Sequence, residues 1–321
     1  MTLEIRRAVP NDRPEILALL ARSLGRDADP RYDALYAWKH EENAFGPSPA
    51  WVATDGERLA GFRVLMRWEF VDRGSVVRAV RAVDTATHPD FQGQGIFTKL
   101  TLHALDELRD EVGFVFNTPN DQSRPGYLKM GWQEIGRVPT AVRPIGLAGI
   151  PRIATARVPA DRWSSPSPAG DAAADVLADK AALERLIASL PDARGARTRL
   201  SPAFLRWRYD TPLLGYRAVV APGGIDEGIA IFRIRARGAA REAALSALIA
   251  ARADRAIESR LTRAVARVAD ADYVIRLGGG IVAPGGMVRL PGQGPLLTWR
   301  ALATSTPPAA WDLSLGDIEL F

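Results

Sequence analysis

The first third of the chain alternates apolar and polar residues with the period of β-strands, and two helical stretches interrupt that alternation early on. Residues 3–8 predict a first strand. Asn11 and Asp12 before Pro14 provide the start of a helix over the residues that follow. The apolar positions of this helix share one face: Ile16, Leu17, Leu20 and Leu24.

The pattern that follows predicts one more helix and then three strands. The helix is expected over residues 32–42. The strands are expected over residues 50–54, 59–71 and 76–87, and Gly56 and Gly74 mark the turns between them.

Residues 84–97 carry the most informative local pattern. Pro89 ends the strand, Gly93 and Gly95 punctuate a turn, and apolar residues then recur at helical spacing over residues 96–108. Glycine lets a backbone approach a ligand closely, and the first N–H groups of a helix lie at the positive end of its dipole. The pattern therefore predicts an anion site, and a pyrophosphate in particular, at this turn.

A second motif follows at the right distance. Residues 112–116 predict a buried strand, and residues 120–132 have the pattern Asn-x-x-Ser-x-x-x-Tyr-x-Lys-x-Gly-aromatic. Strand, Gln-x-x-Gly turn, helix, strand and this motif together resemble the GNAT family of acyl-CoA-dependent N-acyltransferases. The resemblance covers about residues 1–145.

This resemblance implies an α/β fold whose central twisted mixed sheet is flanked by helices, with acetyl-CoA or another short acyl-CoA as the cofactor. It implies three sets of cofactor-binding residues: a pyrophosphate loop and helix start (Gln92, Gly93, Gln94, Gly95, Ile96, Phe97 and Thr98), a strand that pairs with the pantetheine arm (Thr85, Ala86 and Thr87), and Asn120 with Ser123. Phe97 stands where many members carry glycine or alanine. Asn120 could equally be a plain turn residue.

Acylation of an amine requires removal of a proton from the amine and a proton donor for the departing thiolate. The resemblance places Tyr127 as that donor, and the alternative is an aromatic side chain packed under the sheet edge. Asp84 is expected to act as the base or as an anchor for the substrate, or else to pair with an arginine such as Arg81. His88, next to Pro89, is expected to be a turn residue.

The acceptor is expected beside the second helix, where Trp38, His40 and Asn43 combine an aromatic ring with polar groups that suit a sugar. The alternative is a helix end with Trp38 in the core. A second group of candidates lies in the tail, where Asp317, Glu319 and the carboxylate at Phe321 could reach the acceptor. In the tandem-GNAT aminoglycoside acetyltransferases that this layout partly resembles, the terminal carboxylate helps to deprotonate the amine. A strand that merely seals the second half is the alternative.

Proline and serine are frequent between residues 149 and 171, which predicts a linker between a catalytic GNAT domain at 1–148 and a second domain at 172–321. The second domain is expected to be a degenerate GNAT-like repeat without a pyrophosphate loop. Its helices are predicted over residues 178–190, 201–209 and 239–269. Its strands are predicted over residues 216–221, 228–237, 273–277 and 296–301.

The composition limits the possible chemistry. The 321 residues include no cysteine and three histidines, so an acyl-cysteine intermediate is excluded, transfer should be direct in a ternary complex, and no metal site is expected. The net charge is +5, but the arginines are scattered among acidic residues, so no nucleic-acid partner is expected. We expect a cytoplasmic protein that does not bind membranes, with homo-oligomers allowed.

The leading hypothesis is an acetyl-CoA-dependent N-acetyltransferase that acts on the primary amine of a small molecule, such as a nucleotide-linked amino sugar or an aminoglycoside-like compound. Two alternatives remain. One is a catalytically silent acyl-CoA-binding module with a protein partner, and the other is an aminoacyl transferase that uses tRNA.

Overall fold

A computed structural model of the chain describes residues 3–25, 29–147, 149–156, 158–193, 195–278, 285–303, 307–308 and 310–319, and the backbone alone of residues 282–283. Helices flank two mixed β-sheets. The predicted α/β class with mixed sheets is confirmed. None of the helices among the described residues is long and apolar enough to cross a membrane.

The strands, in chain order, are β1 Leu3–Arg7, β2 Ala50–Asp55, β3 Arg58–Asp72, β4 Ser75–Thr87, β5 Phe114–Asn117, β6 Gln133–Arg137, β7 Thr140–Pro144, β8 Asp171–Ala172, β9 Ala196–Thr198, β10 Arg217–Val220, β11 Gly228–Arg237, β12 Ala240–Ala250, β13 Tyr273–Leu277, β14 Val282–Ala283, β15 Met287–Leu290, β16 Leu296–Ala301 and β17 Trp311–Asp312.

The α-helices are α1 Arg13–Ser23, α2 Arg31–Tyr36, α3 Ile96–Glu107, α4 Arg124–Lys129, α5 Gly149–Thr155, α6 Ala173–Val176, α7 Lys180–Ala188, α8 Pro202–Tyr209 and α9 Arg255–Val268. A π-helical turn at Ala37–Glu41 continues α2, and short 3-10 turns lie at Pro10–Asp12, Pro89–Phe91, Ala251–Ala253 and Leu315–Asp317.

The first sheet has the order β1-β2-β3-β4-β5-β16-β6. Outside this order, β9 pairs with β3 and β17 pairs with β9. Its strands are antiparallel except for the parallel pairs β4/β5 and β9/β17. The second sheet has the order β14-β15-β7-β13-β12-β11-β10-β8, with β12/β13 as its parallel pair. The two halves of the chain therefore exchange strands, because β16 completes the first sheet and β7 lies in the second.

A shared core joins the two halves of the chain. Trp38 stacks on Trp207 of α8 with ring centroids 5.4 Å apart, and the indole N–H of each donates to the backbone carbonyl of the other. Trp311 packs edge-on against Phe70 and Phe114 of the first sheet at 5.5 Å. Burial of these large aromatic surfaces between the halves favours one compact arrangement over two independent units.

The alanine-rich segment 239–269 departs from its prediction as a single helix. Ala240–Ala250 is a strand in the middle of the second sheet, and the helix is confined to Arg255–Val268. Alanine favours helix locally, but nearly every residue of β12 is buried between neighbouring strands and packed faces, and that burial overrides the propensity. The Asp254 side chain accepts from the N–H groups of Ala256 and Ile257 and so starts α9 there.

Candidate active site

A cavity of about 980 Å³ opens where β4 and β5 separate. The two strands pair only from Ala79 to Arg81 on β4, while β4 itself continues to Thr87. Residues 82–87 therefore lack a β5 partner on one edge, and they line the cavity together with residues from the second half of the chain. An open strand edge of this kind can pair with an extended ligand that carries amide groups.

Asp84 lies in a β-bulge. The register between β3 and β4 shifts between Phe62 and Val64, and Asp84 takes a left-handed φ of 36°. The period-two alternation of β4 is broken at this point, so the side-chain directions expected from a regular strand do not apply beyond it. The Thr85 hydroxyl donates to the Phe62 carbonyl at 3.2 Å, and Ala86 and Thr87 complete the edge. Positive φ at a non-glycine residue is strained, and such strain is common at functional sites.

Asp84 lines the cavity, and two buried residues of the π-helical turn hold its carboxylate. Lys39 Nζ lies 2.5 Å and His40 Nε2 lies 3.1 Å from Asp84 Oδ2. The other ring nitrogen of His40 is 3.1 Å from Ser48 Oγ. The sequence analysis gave an ion pair with an arginine such as Arg81 as the alternative role of Asp84, and the ion pair that the structure shows is with Lys39.

The turn before α3 has the features of an anion site. Gly93 and Gly95 have φ values of 78° and 73°, and a Cβ at either position would meet open space. The backbone N–H groups of residues 93–98 have no hydrogen-bond acceptor within the described part of the chain, and no side chain caps the helix. These free donors at a helix start fit a pyrophosphate.

The remaining residues of the predicted loop are buried, exposed or part of the cavity lining. Ile96 is buried in the core, which leaves only its N–H for a ligand. Gln94 and Thr98 are exposed, while Gln92 and Phe97 line the cavity. The Phe97 ring packs edge-on against Tyr127 at 5.3 Å and lies over Gly126, where a Cβ would come within 2.9 Å of the ring. Gly126 thus makes room for the large residue at position 97.

Tyr127 lines the cavity with only 3% of its surface exposed. Its ring lies between Phe97 and Trp132, and its phenol oxygen accepts a hydrogen bond of 2.9 Å from Arg63 Nη1. Arg63 is fully buried, and its Nε and Nη2 have no acceptor among the described residues. Because the phenol oxygen accepts this bond, its own O–H remains available to donate to another group.

Asn120 and Ser123 both line the cavity and also shape its wall. The side-chain oxygen of Asn120 accepts from the Ser123 N–H at 2.9 Å and from its hydroxyl at 2.8 Å. This contact fixes the turn that starts α4. A structural role for Asn120 is thus visible, and it leaves the amide nitrogen of the side chain for other partners.

The acceptor candidates near the second helix are not brought together at the cavity. Trp38 is buried against Trp207, and the Asn43 side chain donates to the Arg67 carbonyl and accepts from the Phe45 N–H. His40 lies behind Asp84 and contacts that carboxylate. Among these three, only His40 is therefore connected to the cavity, through Asp84.

The side-chain carboxylates of Asp317 and Glu319 are buried, and neither residue lines the cavity. Asp317 accepts from Thr198 Oγ1 at 2.8 Å and from the Ser314 N–H at 2.6 Å, and its own carbonyl accepts from Arg81. Burial raises the pKa of Asp317. Phe321 lies outside the described residues.

Glu319 has ionic contacts with three arginines: Arg208, Arg233 and Arg235, at 3.5, 3.1 and 3.4 Å. Burial by itself would raise the pKa of Glu319, but the charges of these arginines outweigh it and lower the pKa to about 2. Arg233 and Arg235 line the cavity, so Glu319 supports the wall without lining the cavity itself.

Glu319→Gln is expected to destabilise the protein by ~2 kcal/mol or more near neutral pH, because buried arginines lose the charge that compensates them. Because the pKa of Glu319 lies below the ordinary glutamate value of 4.5, its ionised form stabilises the fold at pH values above 4.5. This contribution to stability is lost as the pH falls toward about 2. The variant should therefore show a flatter decline of stability over that window.

Urea unfolding at a series of pH values measures both effects. Glu184→Gln is the matched control, because Glu184 is exposed and its 3.6 Å contact with Lys180 lies on the surface of α7. That variant should change stability by no more than about 0.5 kcal/mol. Equal stability of Glu319→Gln and the wild type would contradict the electrostatic role of Glu319.

Residues 4–135 match the family model described as Acetyltransferase (GNAT) domain. A sequence comparison with curated proteins finds no match.

Solved structures resemble nearly the whole chain. A probable N-acyltransferase from Enterococcus faecalis aligns with a TM-score of 0.68 at 11% identity, over 94% of this chain and 73% of that one. A GCN5-related N-acetyltransferase from Anabaena variabilis aligns with a TM-score of 0.65 at 14% identity, over 94% of this chain and 73% of that one. Eis1 from Mycobacterium abscessus aligns with a TM-score of 0.59 at 16% identity, over 94% of this chain and 74% of that one. At these identities the likeness is one of fold.

The family match thus identifies residues 4–135 as an acetyltransferase (GNAT) domain, and the protein as an enzyme of the acyltransferase class. The family generally uses acetyl-CoA or another acyl-CoA, and the free N–H groups at the start of α3 and the open edge of β4 fit such a cofactor. Sequence reasoning missed Arg63, Lys39 and the arginines of β11. These residues could have been found as arginines or lysines at positions where the sequence pattern predicts burial.

Proposed function

We propose that the protein transfers an acetyl group, or another short acyl group, from its CoA thioester directly to the primary amine of a small molecule. The observation that carries the proposal is one cavity that joins an uncapped helix start, an open strand edge and the buried phenol of Tyr127. The amino sugar suggested by the sequence remains the proposed acceptor class.

Each part of the cavity has a proposed role toward acetyl-CoA. The N–H groups of residues 93–98 would hold the pyrophosphate, and the edge at Thr85, Ala86 and Thr87 would pair with the amides of the pantetheine arm. Bound acetyl-CoA supplies a thioester, whose acyl carbon is the electrophile and whose sulfur is the leaving group. Tyr127 would donate a proton at its phenol oxygen, with Arg63 stabilising the phenolate.

Asp84 is proposed to anchor the ammonium group of the acceptor and to accept its proton. Asp84 lies on the cavity wall, and Lys39 and His40 hold its carboxylate in place through Oδ2. The absence of cysteine from the sequence means that acyl transfer cannot pass through an acyl-cysteine, which supports direct attack of the amine.

We also propose that the second half is a degenerate GNAT-like repeat. Its β12, α9 and β13 follow one another as β4, α3 and β5 do, and both strand pairs are parallel. The two helix starts differ, because the Asp254 carboxylate occupies the first N–H groups of α9 while those of α3 are free. A carboxylate at that position would repel a pyrophosphate, which supports a single cofactor site in the first half.

The test is acyl transfer by the purified protein with acetyl-CoA and a panel of small amines, followed as amine-dependent release of free CoA and as a mass increase of the amine. Asp84→Asn is expected to lower turnover about tenfold or more, since the variant can neither accept a proton nor pair with an ammonium group. Asp90→Asn is the matched control, because Asp90 is exposed on a neighbouring turn and pairs with Arg58. It should behave like the wild type.

The two alternatives predict different results in the same assays. A silent binding module would bind CoA and release no CoA in response to any amine. An aminoacyl transferase would retard tRNA in a gel. Either outcome, with no acylated small amine, would contradict the proposed function.

A further inference from the structure

The wall of the cavity that comes from the second half of the chain is rich in arginine. Arg233 and Arg235 project from β11, and Arg162 lies in the segment before β8. Arg233 Nη1 donates to the Arg162 carbonyl at 2.7 Å, so the segment and the strand form one surface. This wall faces the same cavity as Asp84 of the first half.

The acidic residues of the wall do not balance its arginines. Glu319 and Glu242 are the carboxylates that contact the cluster formed by Arg208, Arg233, Arg235 and Arg237. Asp161 and Arg162 are neighbours on the lining segment and offset each other. Four arginines against two glutamates leave an excess of two positive charges in this described cluster, and two of its arginines, Arg233 and Arg235, line the cavity.

The hydrogen-bonding capacity of these arginines is also incompletely used. Arg235 Nε has no hydrogen-bond acceptor among the described residues. Arg233 Nη2 lies 3.1 Å from Glu319 Oε2 and forms that ion pair without a well-aligned hydrogen bond. Arg162 is only partly buried and lies over the Tyr32 ring at 5.7 Å, and no carboxylate of the described chain forms an ion pair with it. Arg162 is thus the accessible cation of the wall, and the buried pair behind it adds positive potential.

Building on the proposed function, we infer that the acceptor carries an anionic group, a carboxylate or a phosphate, in addition to its amine. The amine lies toward Asp84, and the anionic group binds Arg162. The positive charges of Arg233 and Arg235 further attract that anionic group. A polycationic acceptor would place positive charge against this wall. Of the two amino-sugar classes considered, the arrangement favours the phosphate-bearing one.

Two other anions could occupy the wall. One is a phosphate of the cofactor, and the other is the carboxylate that the sequence analysis placed at Phe321. If either fills the site, acceptors with and without an anionic group should be used equally well. The experiment below separates these possibilities from an anionic acceptor.

The test compares matched amines that differ only in the anionic group: lysine with cadaverine for a carboxylate, and glucosamine 6-phosphate with glucosamine for a phosphate. The value of kcat/KM is measured for each in the wild type and in Arg162→Gln. We expect the wild type to prefer at least one anionic member by about tenfold or more, the effect of one charge-assisted hydrogen bond. Arg162→Gln should remove most of that preference and leave the KM for acetyl-CoA unchanged.

Arg263→Gln is the matched control, because Arg263 is exposed on α9 and does not line the cavity. It removes one positive charge from the second half and should keep the preference. Equal use of both members of each pair by the wild type would overturn the inference and leave the proposed function standing. A preference that survives in Arg162→Gln, or a rise in the KM for acetyl-CoA alone, would also overturn it. Failure to acylate any amine would contradict the proposed function itself.

Discussion

Tyr127→Phe is expected to lower turnover about a hundredfold and to leave the affinity for acetyl-CoA nearly unchanged. The variant lacks the phenol that would donate the proton, and a general acid typically contributes about this much. The ring itself remains between Phe97 and Trp132, so the cavity should keep its shape. Steady-state kinetics and calorimetry of CoA binding measure the two quantities.

Arg63 provides the control for this prediction. Arg63→Met removes the donor to the phenol oxygen and should also lower turnover, because the phenolate would lose its stabilising charge. In a Tyr127→Phe background the same change should add little, since the interaction is already absent. Near-normal turnover in Tyr127→Phe would assign Tyr127 to packing alone.

Gly95→Glu is expected to abolish measurable CoA binding. The residue caps α3 with a left-handed φ of 73°, and a carboxylate there would occupy the space beside the free N–H groups and repel a pyrophosphate. The fold should survive, because a side chain at this position meets open space. Calorimetry of CoA binding and thermal unfolding measure the two effects.

A matched control isolates the charge from the backbone strain. Gly56 has a φ of 60° in the turn between β2 and β3, and a Cβ there also meets open space. Gly56→Glu therefore introduces the same side chain at a similar backbone conformation outside the loop. It should destabilise the protein as much as Gly95→Glu does and bind CoA normally. Unchanged CoA affinity in a folded Gly95→Glu protein would remove the basis of the cofactor assignment.

Local patterns in the sequence were sufficient to predict most elements of the first half. The strands at 50–55, 58–72 and 75–87 follow a period of two, and the glycines around Gly95 mark the start of α3. The same reasoning missed the bulge at Asp84, because a bulge depends on the register with β3 and not on the residues of β4 alone. It misjudged β12, where burial in a central strand outweighs the helix propensity of alanine.

The candidate site likewise contains residues that local sequence patterns indicate and residues that only the folded chain brings there. The turn before α3 and Tyr127 could be assigned to one candidate site from the sequence because they belong to one continuous stretch of chain. Lys39, Arg63 and Arg233 could not, since each reaches the site from an element distant in sequence. Their roles follow from contacts that only the folded chain creates. The placement of Glu319 behind the wall is another such contact.

The exchanged strand β16 has a consequence for biosynthesis. It lies between β5 and β6, although these two strands leave the ribosome well over a hundred residues earlier. A nascent chain that already contains the whole GNAT motif still has an unfilled gap in its first sheet, with two unpaired strand edges. The sheet that carries the cavity can close only after Ala301 has been synthesised. Acyl transfer therefore requires synthesis through Ala301, and ribosome stalling before that residue would leave inactive chains prone to aggregation.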